Sequence, residues 1–126
     1  MGELEFYEEA LSSATNFTLI STATTASAVP TSASLIFIME DRLGTATLNT
    51  DIKGYISRDN GSNYTEVTLV DEGTYGQNQK IIVAHDVDIS SQPSGTSMRY
   101  KIQSFNQGSS KITKVNADEL CVKLYG

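Results

Sequence analysis

The sequence predicts an all-β protein: a single antiparallel β-sandwich, jelly-roll-like, of seven to nine strands, preceded by a short N-terminal arm. Three observations predict it. From Phe17 onward, apolar and polar residues alternate with a period near two rather than 3.6. Turn signals such as Asp59-Asn60-Gly61 and Gln92-Pro93-Ser94-Gly95 fall between the alternating runs. Ser and Thr make up 29 of 126 residues and Trp is absent, which suits strands that turn one face to water and loops rich in hydroxyls. At this length one domain with one core is expected, so the boundaries fall as an arm over 1–14 and a sandwich over 15–126.

The arm differs from everything after it. Glu3, Glu5, Glu8 and Glu9 are interleaved with apolar residues, and Leu4, Tyr7 and Leu11 fall at i, i+3 and i+7, one face of a short helix. A helix of about a dozen residues is marginal alone and needs a surface to dock on. Leu4, Phe6, Tyr7 and Leu11 are therefore the candidate anchoring residues.

Phe17 to Thr22 reads as the first strand, followed by a Ser/Thr/Ala segment around Pro30. Ala33 to Glu40 is a continuous apolar run whose β-branched and aromatic content favours a strand buried on both faces. Thr45 to Asn49 is a possible short strand leading into Asp51 to Arg58. Tyr64 to Val70 follows, with Thr65, Val67 and Leu69 sharing a face. In Lys80 to Ile89 the alternation places Ile81, Val83, His85, Val87 and Ile89 on one side, with Ile82, Ala84, Asp86 and Asp88 on the other. Ser97 to Phe105 sets Met98, Tyr100 and Ile102 against Arg99, Lys101 and Gln103. Lys111 to Val115 and a last strand with Leu120, Val122 and Leu124 inward complete the set. Between Arg58 and Tyr64, Asp, Asn and Gly tolerate the φ > 0 geometry of a tight hairpin.

Composition narrows the function classes. Net charge is −6 with pI near 4.6, and Lys111 with Lys114 is the nearest approach to a basic cluster in the chain, which argues against nucleic acid. No window approaches the ~20 apolar residues of a membrane helix, and Met1 leads into Glu-rich sequence rather than a secretory leader. Cys121 is the single cysteine, which excludes an intramolecular disulfide. His85 is the single histidine; it sits mid-strand among Ile81, Val83 and Val87, where a core or interface residue is expected rather than a catalytic base. No nucleophile elbow, P-loop or dinucleotide fingerprint is present. Asp86 and Asp88, with Asp71-Glu72, offer carboxylates of the kind Ca²⁺ takes, but without EF-hand spacing a solvated acidic face is the expectation. The reading is a protein without catalysis, metal or cofactor. For sugar contact, Tyr75 in the Gly-flanked segment Gly73 to Asn78, Gln77 and Asn78 beside it, and Phe105 are the candidates, because rings and amides at strand ends suit hydroxyl-rich ligands.

Ser57-x-Asp59-x-Gly61-x-x-Tyr64 resembles the Asp-box of sialidase-type β-propellers, a pattern that folds a hairpin and does no chemistry. No internal repeat accompanies it, so the blades of a propeller are not expected. The longer strings DIKGYISRDNGSNYTEVTLVDEG (from Asp51) and HDVDISSQPSGTSMRYKI (from His85) resemble a β-sandwich module of bacteriophage virion proteins, known mainly from marine phages in tail fibres and small capsid-surface proteins. The resemblance runs from about Thr15 to the C-terminus and leaves the arm outside it. It implies a non-enzymatic virion-surface component, made in the host cytoplasm, often trimeric, with other virion proteins of shell or tail as partners. A capsid decoration protein anchored by its arm is the first expectation. A tail-fibre domain that recognises a host-surface glycan is the alternative.

Overall fold

The computed structural model describes residues 15–76 and 79–125, the side chains of Tyr75 and of residues 116–125 excepted. Its strands are β1 (Thr18–Ile20), β2 (Thr24–Thr25), β3 (Ser32–Leu43), β4 (Ile52–Ser57), β5 (Thr65–Val67), β6 (Val70–Gly76), β7 (Gln79–Asp88), β8 (Ser97–Ser104) and β9 (Ile112–Tyr125). They form two antiparallel sheets packed face to face. The first runs β1-β8-β4-β5, with β2 continuing the β1 edge of β8; the second runs β6-β7-β3-β9. The two-residue alternation has its cause here: each strand gives one face to the space between the sheets and the other to its own outer surface.

Between the sheets lie Leu19, Ala33, Leu35, Phe37, Met39, Ile52, Ile56, Val67, Leu69, Ile82, Ala84, Ile89, Met98, Ile102 and Val115, all buried. Tyr100 packs against them from the inner face of β8. Gly54 occupies an inner position of β4 where Leu35 of the facing sheet and Val67 on the paired strand β5 crowd the backbone. A Cβ there would lie 3.1 Å from Leu35 and from Val67, and 3.2 Å from Leu69. In β3 the apolar run serves two faces. Leu35, Phe37 and Met39 point into the core, while Ile36 and Ile38 pair across the outer face with Val83 and Ile81 of β7. Ile38 and Val83 are buried although they stand outside the core cluster.

Four elements besides β7 differ from the sequence expectation. Residues 45–49 form no strand apart from a bridge between Leu48 and Ile52; the Asp41 and Asp51 side chains accept the amides of Ala46 and Thr47 and fold the segment into turns. The expected strand from Tyr64 to Val70 is cut between β5 and β6, because the chain changes sheet at Thr68-Leu69. Asn49 holds that crossing, its side-chain amide donating to the Leu69 carbonyl at 3.0 Å and accepting the Leu69 N–H at 2.8 Å. Gly73 to Gly76, expected in a loop, belongs to β6. The last two expected strands are one, β9, which pairs with β3 along its length.

β7 departs most. Ile82 and Ala84, not Ile81 and Val83, face the core. A bulge then sets His85 and Asp86 opposite the single residue Ser34, with Asp86 at φ +49° and its N–H bonded to Ser34 Oγ at 3.0 Å. The extra residue inverts the alternation, so Val87 and Ile89 return to the core while His85 is left in solvent.

Candidate functional site

The Arg58–Tyr64 hairpin organises a dense set of side-chain contacts on one surface. Asn60 and Gly61 adopt φ +63° and +89°, the left-handed geometry the turn requires. Ser57 Oγ donates to Asp59 Oδ1 at 2.7 Å and accepts the Gly61 N–H at 2.9 Å. The Asp59 carboxylate also accepts the Asn63 N–H at 2.8 Å and the Asn63 side-chain amide at 2.6 Å. Those hydrogen bonds, the Asn63 side chain's first, hold the Asp59 carboxyl below its ordinary range. Ser57, Asp59 and Gly61 are thus spent on the turn itself.

Tyr64, the fourth residue of the pattern, does something more. It meets Tyr55 of β4 edge to face, with centroids 6.4 Å apart and planes at 73°. Lys101 of β8, which pairs with Tyr55, sets its ammonium 4.7 Å from the Tyr55 ring centre and 4.4 Å from that of Tyr64. One register step away, Lys53 stands opposite Gln103 and lies 5.2 Å from the Phe105 ring centre. Arg99 completes the row. Its Nε donates to Asn60 Oδ1 at 2.9 Å and its Nη1 to the Ser21 carbonyl at 2.7 Å. Burial raises the Tyr55 phenol, with Glu66 adding to it; burial also raises Tyr64 while Arg99 pulls against it. The outer face of the β1-β8-β4-β5 sheet therefore presents three tethered cations, two of them, Lys53 and Lys101, over three half-buried rings.

The other predicted positions scatter. Leu4, Phe6, Tyr7 and Leu11 lie outside the described residues, as do Gln77, Asn78 and the side chain of Tyr75. Phe105 sits beneath Lys53, on the opposite sheet from β6 and so apart from the Tyr75 segment. His85, expected within the core or an interface, has its side chain 61% exposed, 3.7 Å from Glu72. Asp86 is exposed at the bulge, and Asp88 accepts the Ser90 N–H and hydroxyl instead of facing Asp86. Among the described residues, no three His, Cys, Asp or Glu side chains gather to hold a metal ion. Lys111 serves Asp51, 2.6 Å from its carboxylate.

Sequence reasoning missed the Lys53, Arg99 and Lys101 row because its members come from strands far apart in the chain. The available signal was the pairing of two aromatic-and-cationic strands, Lys53-x-Tyr55 and Arg99-x-Lys101, on their polar phases. Sequence reasoning also missed Arg58, which is buried beside Gln92 and donates to the carbonyls of Pro30, Ser90, Gln92 and Pro93. No family model matches the chain, and no curated protein or solved structure matches it.

Proposed function

We propose that the protein is a non-enzymatic structural component of a bacteriophage virion surface, a capsid decoration protein held to the shell by its acidic, amphipathic arm (Leu4, Phe6, Tyr7 and Leu11). The observation that carries this reading is the Arg58–Tyr64 hairpin set in a two-sheet antiparallel sandwich. The strings that resemble the virion module form that hairpin and its neighbouring strands, and Ser57 and Asp59 serve the turn rather than a ligand. A second feature supports assembly. The outer row Ile36, Ile38, Ile81 and Val83 continues to Val70, which pairs with Val83 and is 46% exposed at the rim, an apolar edge suited to a neighbouring subunit. A homotrimer and contacts to other virion proteins belong to this proposal.

Immunogold labelling of intact particles tests it. Gold spread over the heads is the expected result, and deletion of residues 2–11 is then expected to abolish incorporation while the sandwich still folds. Gold confined to tails would replace decoration with the fibre reading, in which a host-surface glycan is the partner. Accessible particles that take no label would overturn the virion-surface assignment.

A further inference from the structure

We propose that the outer face of the β1-β8-β4-β5 sheet is a binding surface for a linear, carboxylate-bearing polysaccharide, with Lys53, Lys101 and Arg99 receiving its carboxylates. The inference rests on this face alone and holds wherever the protein resides.

Charge is the first argument. The chain carries a net charge of −6, yet the outer positions of β4 and β8 hold Lys53, Arg99 and Lys101, against Glu66 opposite Tyr55 on β5 and Asp59 in the hairpin near Tyr64, the latter bonded to Asn63. The exposed carboxylates Asp71, Glu72, Asp86 and Asp88 lie on the other sheet, in β6 and β7. Such segregation sets a local attraction for anions against a repulsive whole, which selects a ligand that engages one face.

Geometry is the second. Arg99, Lys101 and Gln103 are successive outer positions of β8, roughly 7 Å apart, and Lys53 stands opposite Gln103. The cations thus form a row along the strand direction, a pattern suited to a linear polymer with regularly spaced charges rather than to a single small anion. Each is already tethered: Lys101 between two rings, Lys53 over Phe105, and Arg99 by Asn60 and Ser21. Side chains fixed before binding lose less rotamer freedom when the ligand arrives.

The rings decide the polymer. Single-stranded nucleic acid needs free aromatic faces on which bases stack. Here Lys101 occupies a face of Tyr55 and of Tyr64, and Lys53 one of Phe105. Beside the row lie Gln103 and Thr18, joined by a hydrogen bond of 3.2 Å, whose polar groups suit a sugar's hydroxyls.

Affinity electrophoresis of the purified full chain through gels containing alginate, dextran or single-stranded oligothymidylate tests the proposal. Expected are retardation by alginate, none by dextran, and loss of the retardation as salt is raised. Lys101→Met and Lys53→Met are each expected to weaken alginate binding by roughly fivefold or more, about 1 kcal/mol, with unchanged urea midpoints. Lys80→Gln, on the other sheet, is expected to leave binding intact. Absence of alginate retardation at low salt would overturn the proposal, as would equal weakening by Lys80→Gln. Stronger retardation by oligothymidylate would assign the face to nucleic acid instead. A concentration-dependent dimer in sedimentation, abolished by Lys101→Met, would assign it to a second copy.

Discussion

Lys111 places its ammonium 2.6 Å from Oδ2 of Asp51, a carboxylate only 3% exposed, and so ties the turn after β8 to the turn before β4. The Asp51 carboxylate also accepts the Thr47 N–H at 2.8 Å and the Asn106 side-chain amide at 2.7 Å. Burial alone would raise this carboxyl, but the Lys111, Thr47 and Asn106 hydrogen bonds outweigh it and lower the pKa to about 2. Because the folded pKa lies below the unfolded one, the group's contribution is fully present above about pH 4 and is lost as pH falls toward 2. Chemical denaturation between pH 5 and 2 is expected to show a loss of roughly 2 kcal/mol from this group. Asp51→Asn is expected to be less stable at pH 7 and to show a shallower acid slope. Asp59 and Asp88, also lowered, will keep part of that slope.

Arg58 anchors the opposite end of the sandwich. Its guanidinium joins the loop before β3 to the loop between β7 and β8, and its own N–H donates to Gln92 Oε1 at 2.8 Å. Gln92 in turn donates to the Ile56 carbonyl and to Thr65 Oγ1. Arg58→Met would strip four carbonyls of their donor, two of them in buried hydrogen bonds, and is expected to cost roughly 3 kcal/mol in urea denaturation. Arg58→Lys is not expected to restore stability, because an ammonium lacks the planar fork that reaches carbonyls on both loops.

The close approach of the sheets at Gly54 is testable by a single methyl group. Gly54→Ala would press on Leu35, Val67 and Leu69 at once, and overpacking of this kind costs roughly 1–3 kcal/mol. The expected outcome is a lower thermal midpoint with the circular dichroism spectrum of the sandwich retained. An unchanged or raised midpoint would mean that the three side chains give way freely.

Tyrosine titration separates the two faces of β8 and β4. Burial raises Tyr100, on the core side, to about 12, and raises Tyr55 and Tyr64 on the outer face in the same direction. Folded pKa values above the unfolded value mean that the stabilisation is present below about pH 10 and is lost as pH rises through the folded values. Tyrosinate absorbance is expected to show Tyr100 ionising after Tyr55 and Tyr64, and Tyr100→Phe is expected to remove that later step.

The fold class was legible because alternation is a local property. Met98, Tyr100 and Ile102 announce their inner face within five residues, and Asp59-Asn60-Gly61 announces its turn within three. β7 was misread although its alternation is clear, because the bulge at Asp86 depends on Ser34, 52 positions away, whose hydroxyl receives the displaced N–H. The break at Thr68-Leu69 was hidden for the same reason: Asn49, which holds it, belongs to a different loop. The cationic row escaped because neither Lys53-x-Tyr55 nor Arg99-x-Lys101 is unusual alone, and only their register makes one surface.

The sequence by itself determined that this chain is all-β, where its Asp59 hairpin turns and which phase of β8 is wet, since backbone geometry and two-residue periodicity act between near neighbours. Tertiary structure decided which strands meet, where the alternation slips, and that Arg58 is buried while His85 is not. It also decided that Lys53 of β4 joins Arg99 and Lys101 of β8 on one face with Tyr55, Tyr64 and Phe105. Those outcomes depend on pairing between segments tens of residues apart, and no local pattern of side chains encodes a partner's register.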